Sequence, residues 1–252
     1  MRINPIDELS AKGSTFTFEE AKEVLGADAS VARVIISRLE KKGWIERIEK
    51  GKYLIIPLGA ESGKYTVHEF VIGSMLIKPC SVSYWSALQW HGLTEQIPNR
   101  VFLQSPTRRG EQKVNVFGVS YKIVRITPRK FFGAKTEWIE ETAIDITDRE
   151  KTIIDCLDKP QNCGGVIEVA KALNRTDLDE VKVNEYLTRF RNSAVIRRLG
   201  FLLDFLGKPI GLPSIDTRNY IKLDPTMPDT SSRNAKWRLL VNLDENTLGS
   251  LE

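Results

Sequence analysis

The sequence predicts an α+β protein in which an amino-terminal winged helix-turn-helix precedes a larger mixed α/β domain. Three observations carry that expectation. A helical run, a glycine turn, a second helical run and a short charged hairpin fill the first sixty residues in that order. From Arg100 to Thr127 the spacing changes to that of strands, and much of the remaining chain returns to helical spacing. Of 252 residues, 41% are hydrophobic and 28% charged, which suits a folded chain with a sizeable core and excludes disorder. The expected division is 1–60 for the winged module and 61–250 for the larger domain.

In the first module, Thr15 or Thr17 caps a helix running through Glu23, with Glu19 and Glu20 in the favourable first turn if Thr17 is the cap, Ala21, Val24 and Leu25 on its buried side and Gly26 ending it. The segment SVARVIISRLEKKG then reads as a second helix, capped by Asp28 or Ser30 and stopped by Gly43. At about 100° per residue, Val31, Ala32, Ile35, Ile36 and Leu39 share its buried side, and Ser30, Arg33, Val34, Ser37 and Lys41 share the opposite one. Serine hydroxyls bond in either direction and an arginine fork matches the guanine edge, so the second set is the candidate DNA-reading face. The segment WIERIEKGKYLIIP forms two short strands around a Lys-Gly-Lys tip, from which Lys50 and Lys52 are expected to reach phosphates. Residues 58–63 read as a linker.

Beyond it, HEFVIGSMLIKP and SYWSALQWHGL are helical, the second capped by Ser81 or Ser83. RVFLQS, KVNVFG and VSYKIVRIT are strands, and AIDIT at 143–147 leads into the helix DREKTIIDCLDKP. Helices are expected near 164–173, 177–190 and 193–206, followed by the strands YIKL and WRLLVNL. No internal repeat is present.

Charge is distributed unevenly. Residues 100–135 carry nine basic side chains against one acidic, and residues 136–185 carry six against thirteen. The basic block, with Arg108, Arg109, Lys113, Lys122, Arg125, Arg129 and Lys130, is a candidate auxiliary surface for DNA, RNA or an acidic protein partner. The first sixty residues have a net charge of only +1. That keeps open a protein-interaction adaptor that binds through the carboxy-terminal domain without reading DNA.

Catalytic signals are weak. Two histidines, His68 and His91, have no cysteine or carboxylate at metal-site spacing, and His91 is expected to end a helix and bond a carbonyl or a partner side chain. Asp145, Asp148 and Glu150 are read as a helix start in preference to a nuclease cluster. Gly164 and Gly165 lack the rest of a phosphate-binding loop. Neither cofactor, metal nor catalytic residue is assigned. Cys80, Cys156 and Cys163 form no CxxC pair and no disulfide framework. The polar opening RINPIDELSAKGS is unlike a signal peptide and no run is apolar for long enough to span a bilayer, so a cytoplasmic protein is expected.

Five segments together carry a resemblance: GKYLIIP, SYWSALQWHGLTEQIPNRVFLQSP, ITDREKTIIDCLDKPQNCGG, RRLGFLLDFLG and WRLLVN. In order and spacing, over residues 15 to about 243, the chain resembles the AbiEi-type antitoxin and transcriptional regulator family of type IV toxin-antitoxin, or abortive infection, systems. The resemblance implies a repressor of its own operon, binding double-stranded operator DNA and paired functionally with a nucleotidyltransferase-like toxin. It carries operator binding onto Arg33, Ser37, Lys41, Lys50 and Lys52, and antitoxicity onto the carboxy-terminal domain. Inverted half-sites would require two modules, from a dimer or from monomers assembling cooperatively on DNA.

Overall fold

Three small polar caps and one tight hairpin organise the amino-terminal module. The computed structural model describes residues 4–11, 13–57, 67–139, 141–229 and 232–243; the expected linker at 58–63 lies outside them. Helix α1 (Pro5–Ser10) is an addition to the elements expected from the sequence. It starts at Asn4, whose side chain accepts from the Ile6 amide, and it buries Ile6 and Leu9. Strand β1 (Thr15–Thr17) leads into α2 (Phe18–Val24). Of the two possible caps, Thr17 is the one used: its hydroxyl accepts from the Glu20 amide at 3.2 Å and the Glu20 carboxylate accepts from the Thr17 amide at 2.6 Å. Asp28 caps α3 (Ala29–Lys41), which buries Ala32, Ile36 and Leu39. Strands β2 (Ile45–Glu49) and β3 (Lys52–Ile55) form the hairpin, and β1 joins it in the order β1-β3-β2. Val31, expected on the buried side, is 47% exposed. It lies in the first turn of α3, at the edge of the apolar stripe, where no element among the described residues covers it.

The rest of the chain is built on a six-stranded mixed sheet. Helix α4 (Glu69–Leu76), β4 (Ser81–Val82) and α5 (Tyr84–Trp90) come first. Strands β5 (Val101–Ser105), β6 (Lys113–Val116), β7 (Val119–Arg125), β8 (Ala134–Ile139) and β9 (Thr142–Thr147) come next. Their spatial order is β6-β7-β5-β4-β9-β8, with β5 parallel to β7 and β4 parallel to β9. Strands β4 and β8 are further additions to the expected elements. Helices α6 (Arg149–Asp158), α7 (Val166–Asn174), α8 (Glu180–Phe190) and α9 (Ser193–Phe205) then pack together, closed by short strands β10 (Ile221–Lys222), β11 (Arg233–Asn234) and β12 (Leu239–Leu240).

Alternation along the strands divides the core. Val101, Leu103, Tyr121, Ile123, Ile144 and Ile146 pack against α4, whereas Phe102, Val124 and Ile126 pack with helices α5 to α9. Helix α4 approaches the sheet through Gly73, where a Cβ would come within 3.3 Å of Leu103. Ile48 of β2 and Leu54 of β3 belong to the same cluster as α4, so the hairpin helps to cover the sheet.

Helix α6 is buried along almost its whole length, polar residues included. Lys151 is fully buried, donates to Asp155, and lies over the rings of Phe132 and Phe190 at 5.0 and 5.3 Å. Desolvation pushes the Asp155 carboxyl up to about 6, with Lys151 opposing the shift. Gly200 of α9 lies against the Trp237 indole, leaving no room for a methyl group.

Gly200→Ala should therefore lower stability by about 1–3 kcal/mol, read from the denaturant midpoint. Because Asp155 binds its proton more tightly folded than unfolded, its contribution to stability is present at low pH and is lost as pH rises from about 4 to about 6. The stability difference between wild type and Asp155→Asn should then shift in favour of wild type on acidification through that window, by at most about 1.4 kcal/mol per pH unit.

Candidate nucleic-acid interface

Asp28 sets the exposed face of α3. Its carboxylate accepts from the Ser30 and Val31 amides, both at 2.9 Å, and from the Ser30 hydroxyl at 2.7 Å. These bonds, the Ser30 hydroxyl foremost, hold the Asp28 carboxyl below its ordinary range. The positive end of the helix is thereby neutralised by the chain itself. Along the helix, Ser30, Arg33, Val34, Ser37 and Lys41 are all exposed, as are Arg38 and Lys42. The first five form one stripe at steps of three or four residues.

A groove of about 740 Å³ separates this helix from the hairpin. Phe18 and Tyr53 supply its aromatic surface, and the Arg33 and Arg47 guanidinium groups lie 5.7 and 5.6 Å from those two ring centroids. Arg47 also reaches Glu40 at 3.3 Å. Arg47 is absent from the residues expected at the interface. Its position in IERIEK, on the outward side of a hairpin strand, is the signal that could have found it.

At the hairpin tip the two lysines differ. Lys50 is exposed, but the Lys52 ammonium donates to the Glu49 carboxylate at 2.6 Å and to the Leu76 carbonyl at 2.9 Å. Lys52 was expected to be free for phosphate, and the structure corrects this: the end of α4 lies beneath the tip, and its unpaired carbonyl draws the ammonium inward. Arg109 completes the joint. It donates to the Glu49 carboxylate at 2.6 Å, to the Leu76 carbonyl, and to the Glu111 carbonyl at 3.0 Å. Burial alone would raise the Glu49 carboxyl, but Arg109 and Lys52 outweigh it and hold that carboxyl below the usual range.

Several members of the basic block are likewise engaged inside the protein. Lys122 donates to Asn162 at 2.6 Å, and burial together with Arg100, Lys113 and Lys159 lowers its pKa. Lys113 stands directly across from it in the β6–β7 pair. Lys130 binds both oxygens of Asp158 at 2.7 Å. Arg108, Lys113, Arg125 and Arg129 remain exposed. Arg108 lies close to the hairpin tip, being the neighbour of Arg109.

The other chemical candidates have structural employment. Asp148 caps α6 and accepts from the Tyr186 hydroxyl at 2.7 Å, and Lys182 pairs with Glu150 at 2.6 Å. Asp145 accepts from the Thr136 hydroxyl. His91 caps the end of α5 and lies 2.7 Å from the Thr147 carbonyl through Nε2. Cys80, its thiol pushed up to about 12 by burial, is a poor nucleophile. Among the described residues no cluster of His, Cys, Asp and Glu has the geometry to hold a metal ion, and no helix is long and apolar enough to cross a membrane.

Comparison with known proteins bears on the helix-and-hairpin module. Residues 4–56 match the family model "Transcriptional regulator, AbiEi antitoxin". This bears out the family resemblance read from the sequence, over the segment that contains α3, the groove and the hairpin. The fold of the chain is similar to that of RV2827C protein from Mycobacterium tuberculosis, with a TM-score of 0.67 at 16% identity, covering 98% of this chain and 92% of that one. No curated protein matches the chain by sequence.

The two hairpin lysines should separate in their effects on stability. Lys52→Ala, which strips Glu49 and Leu76 of a partner, should cost about 1–2 kcal/mol by thermal or denaturant unfolding. Lys50→Ala should stay within about 0.5 kcal/mol of wild type.

Proposed function

We propose that this protein is a non-enzymatic, DNA-binding repressor of its own operon and the antitoxin of a type IV toxin-antitoxin pair. In this reading residues 1–60 are a winged helix-turn-helix: α3 enters a major groove and the β2–β3 hairpin is the wing. The observation that carries it is the exposed stripe Ser30, Arg33, Val34, Ser37 and Lys41 beside a hairpin tip with an exposed lysine, within a segment that matches an AbiEi regulator model.

The stripe combines an arginine fork, two hydroxyls and a methyl-bearing surface, which together suit base edges, with Lys41 at the end to meet phosphate. Lys50 is the phosphate contact of the wing. Lys52 acts through Glu49 and the end of α4 as a positioning residue, and Arg109 does the same. Arg108 extends the basic surface beyond the wing. This gives the auxiliary block a share in DNA binding that Lys122 and Lys130, engaged with Asn162 and Asp158, do not take. The carboxy-terminal domain, residues 61–250, carries antitoxicity toward a nucleotidyltransferase-like toxin inside the cytoplasm. The near-neutral module favours a rival: an adaptor that binds a protein partner and touches DNA only incidentally.

A salt-titrated binding assay on the protein's own upstream DNA, with scrambled DNA of equal length as control, tests the reading. Arg33→Ala should lose about 1–3 kcal/mol of preference for the upstream sequence. Lys50→Ala should weaken binding to both DNAs alike and reduce the salt slope by about 1. Weak and equal binding of wild type to both DNAs would favour the adaptor.

A further inference from the structure

Among the described residues, the sheet ends on a strand with one unpaired side. Strand β8 pairs with β9 on one side, and among the described residues no strand pairs with its other side. Ala134, Lys135, Thr136 and Trp138 are exposed, Trp138 to 74%. Six residues without proline or bulge leave a row of backbone donors and acceptors ready for another strand, with a large aromatic ring beside them.

We propose that this edge pairs with β8 of a second copy of this chain, antiparallel about a two-fold axis through Thr136. A two-fold perpendicular to the sheet keeps every side chain on its own face, so only residues an even number of positions apart can stand opposite each other. Three central registers satisfy that condition. Centring on Lys135 sets two lysines face to face, and centring on Glu137 sets two glutamates face to face, both unfavourable. Centring on Thr136 places Lys135 of each copy opposite Glu137 of the other, forming two opposite-charge pairs.

The same register seats Trp138 opposite Ala134, the smallest side chain in the strand. Its ring then covers the backbone of the second copy without a steric rival. Neither Lys135 nor Glu137 has an ion-pair partner within the described part of its own chain. A lone lysine on an edge normally repels a second strand. Here Glu137 answers it in one register only, which makes the charge pattern a selector for self-pairing and a barrier against slipped pairing. The pairing requires no DNA, so the failure of either this inference or the DNA-binding reading leaves the other standing.

Sedimentation velocity of the full chain over a concentration series tests it, with melting temperature as the check that each variant is folded. Wild type should dimerise. Lys135→Glu and Glu137→Lys should each weaken the dimer about tenfold, since each spoils two symmetry-related pairs. The double variant Lys135→Glu/Glu137→Lys should return to within about threefold of wild type, because the pairs are restored with their signs exchanged. A monomer at every concentration, single variants that dimerise like wild type, or a double variant no tighter than the singles would overturn the proposal.

Discussion

A mixed sheet must bury both faces, and here the covering is unequal. One face receives five helices, α5 to α9, while the other receives α4, which has eight residues. Ile48 and Leu54 of the hairpin make up part of the shortfall, so the amino-terminal module is fixed to the sheet by the same apolar burial that holds the sheet together. Around that patch, Glu49, Lys52, Arg109 and the Leu76 carbonyl form a polar seal in which each charge has a partner. The orientation of α3 is a consequence of this joint.

The uneven charge along the chain has an internal explanation in part. Arg109 and Lys130 answer Glu49 and Asp158, residues far from them in sequence, and Lys122 turns to the amide oxygen of Asn162. The acidic stretch beyond 136 is drawn inward in the same way, with Asp148 and Glu150 holding Lys182, and Asp155 holding the buried Lys151. A block of like charges in sequence is therefore not a block of like potential on the surface. Arg108 is separated from Arg109 by one bond of the chain, yet only Arg108 remains available to a ligand.

The sequence is most legible where periodicity and punctuation agree. In α3, an apolar stripe with a cap before it and Gly43 after it marks the helix, its buried Ala32, Ile36 and Leu39, and its exposed stripe. The hairpin, the strands β5 to β7 and helix α6 are legible for the same reason. Helix α1 escapes notice because six residues supply only two buried apolar positions, too few for a period to register. Strand β4 is two residues long, and β8, as an exposed edge, shows no alternation of apolar and polar side chains. The engagement of Lys52 depends on a carbonyl 24 residues away, and no local pattern can announce that.

Since the hairpin is held by contacts across space, the covalent connection between residues 57 and 67 has little to do with the angle at which α3 is presented. Its length bears on how readily the two parts find each other, since closing a flexible chain segment costs only about 0.6 kcal/mol more for each doubling of its length. Exchanging Lys52 and Arg109, which meet at the Leu76 carbonyl, or the Glu49 carboxylate that accepts from both, would have the opposite effect, re-aiming the helix while leaving every residue on its exposed face unchanged.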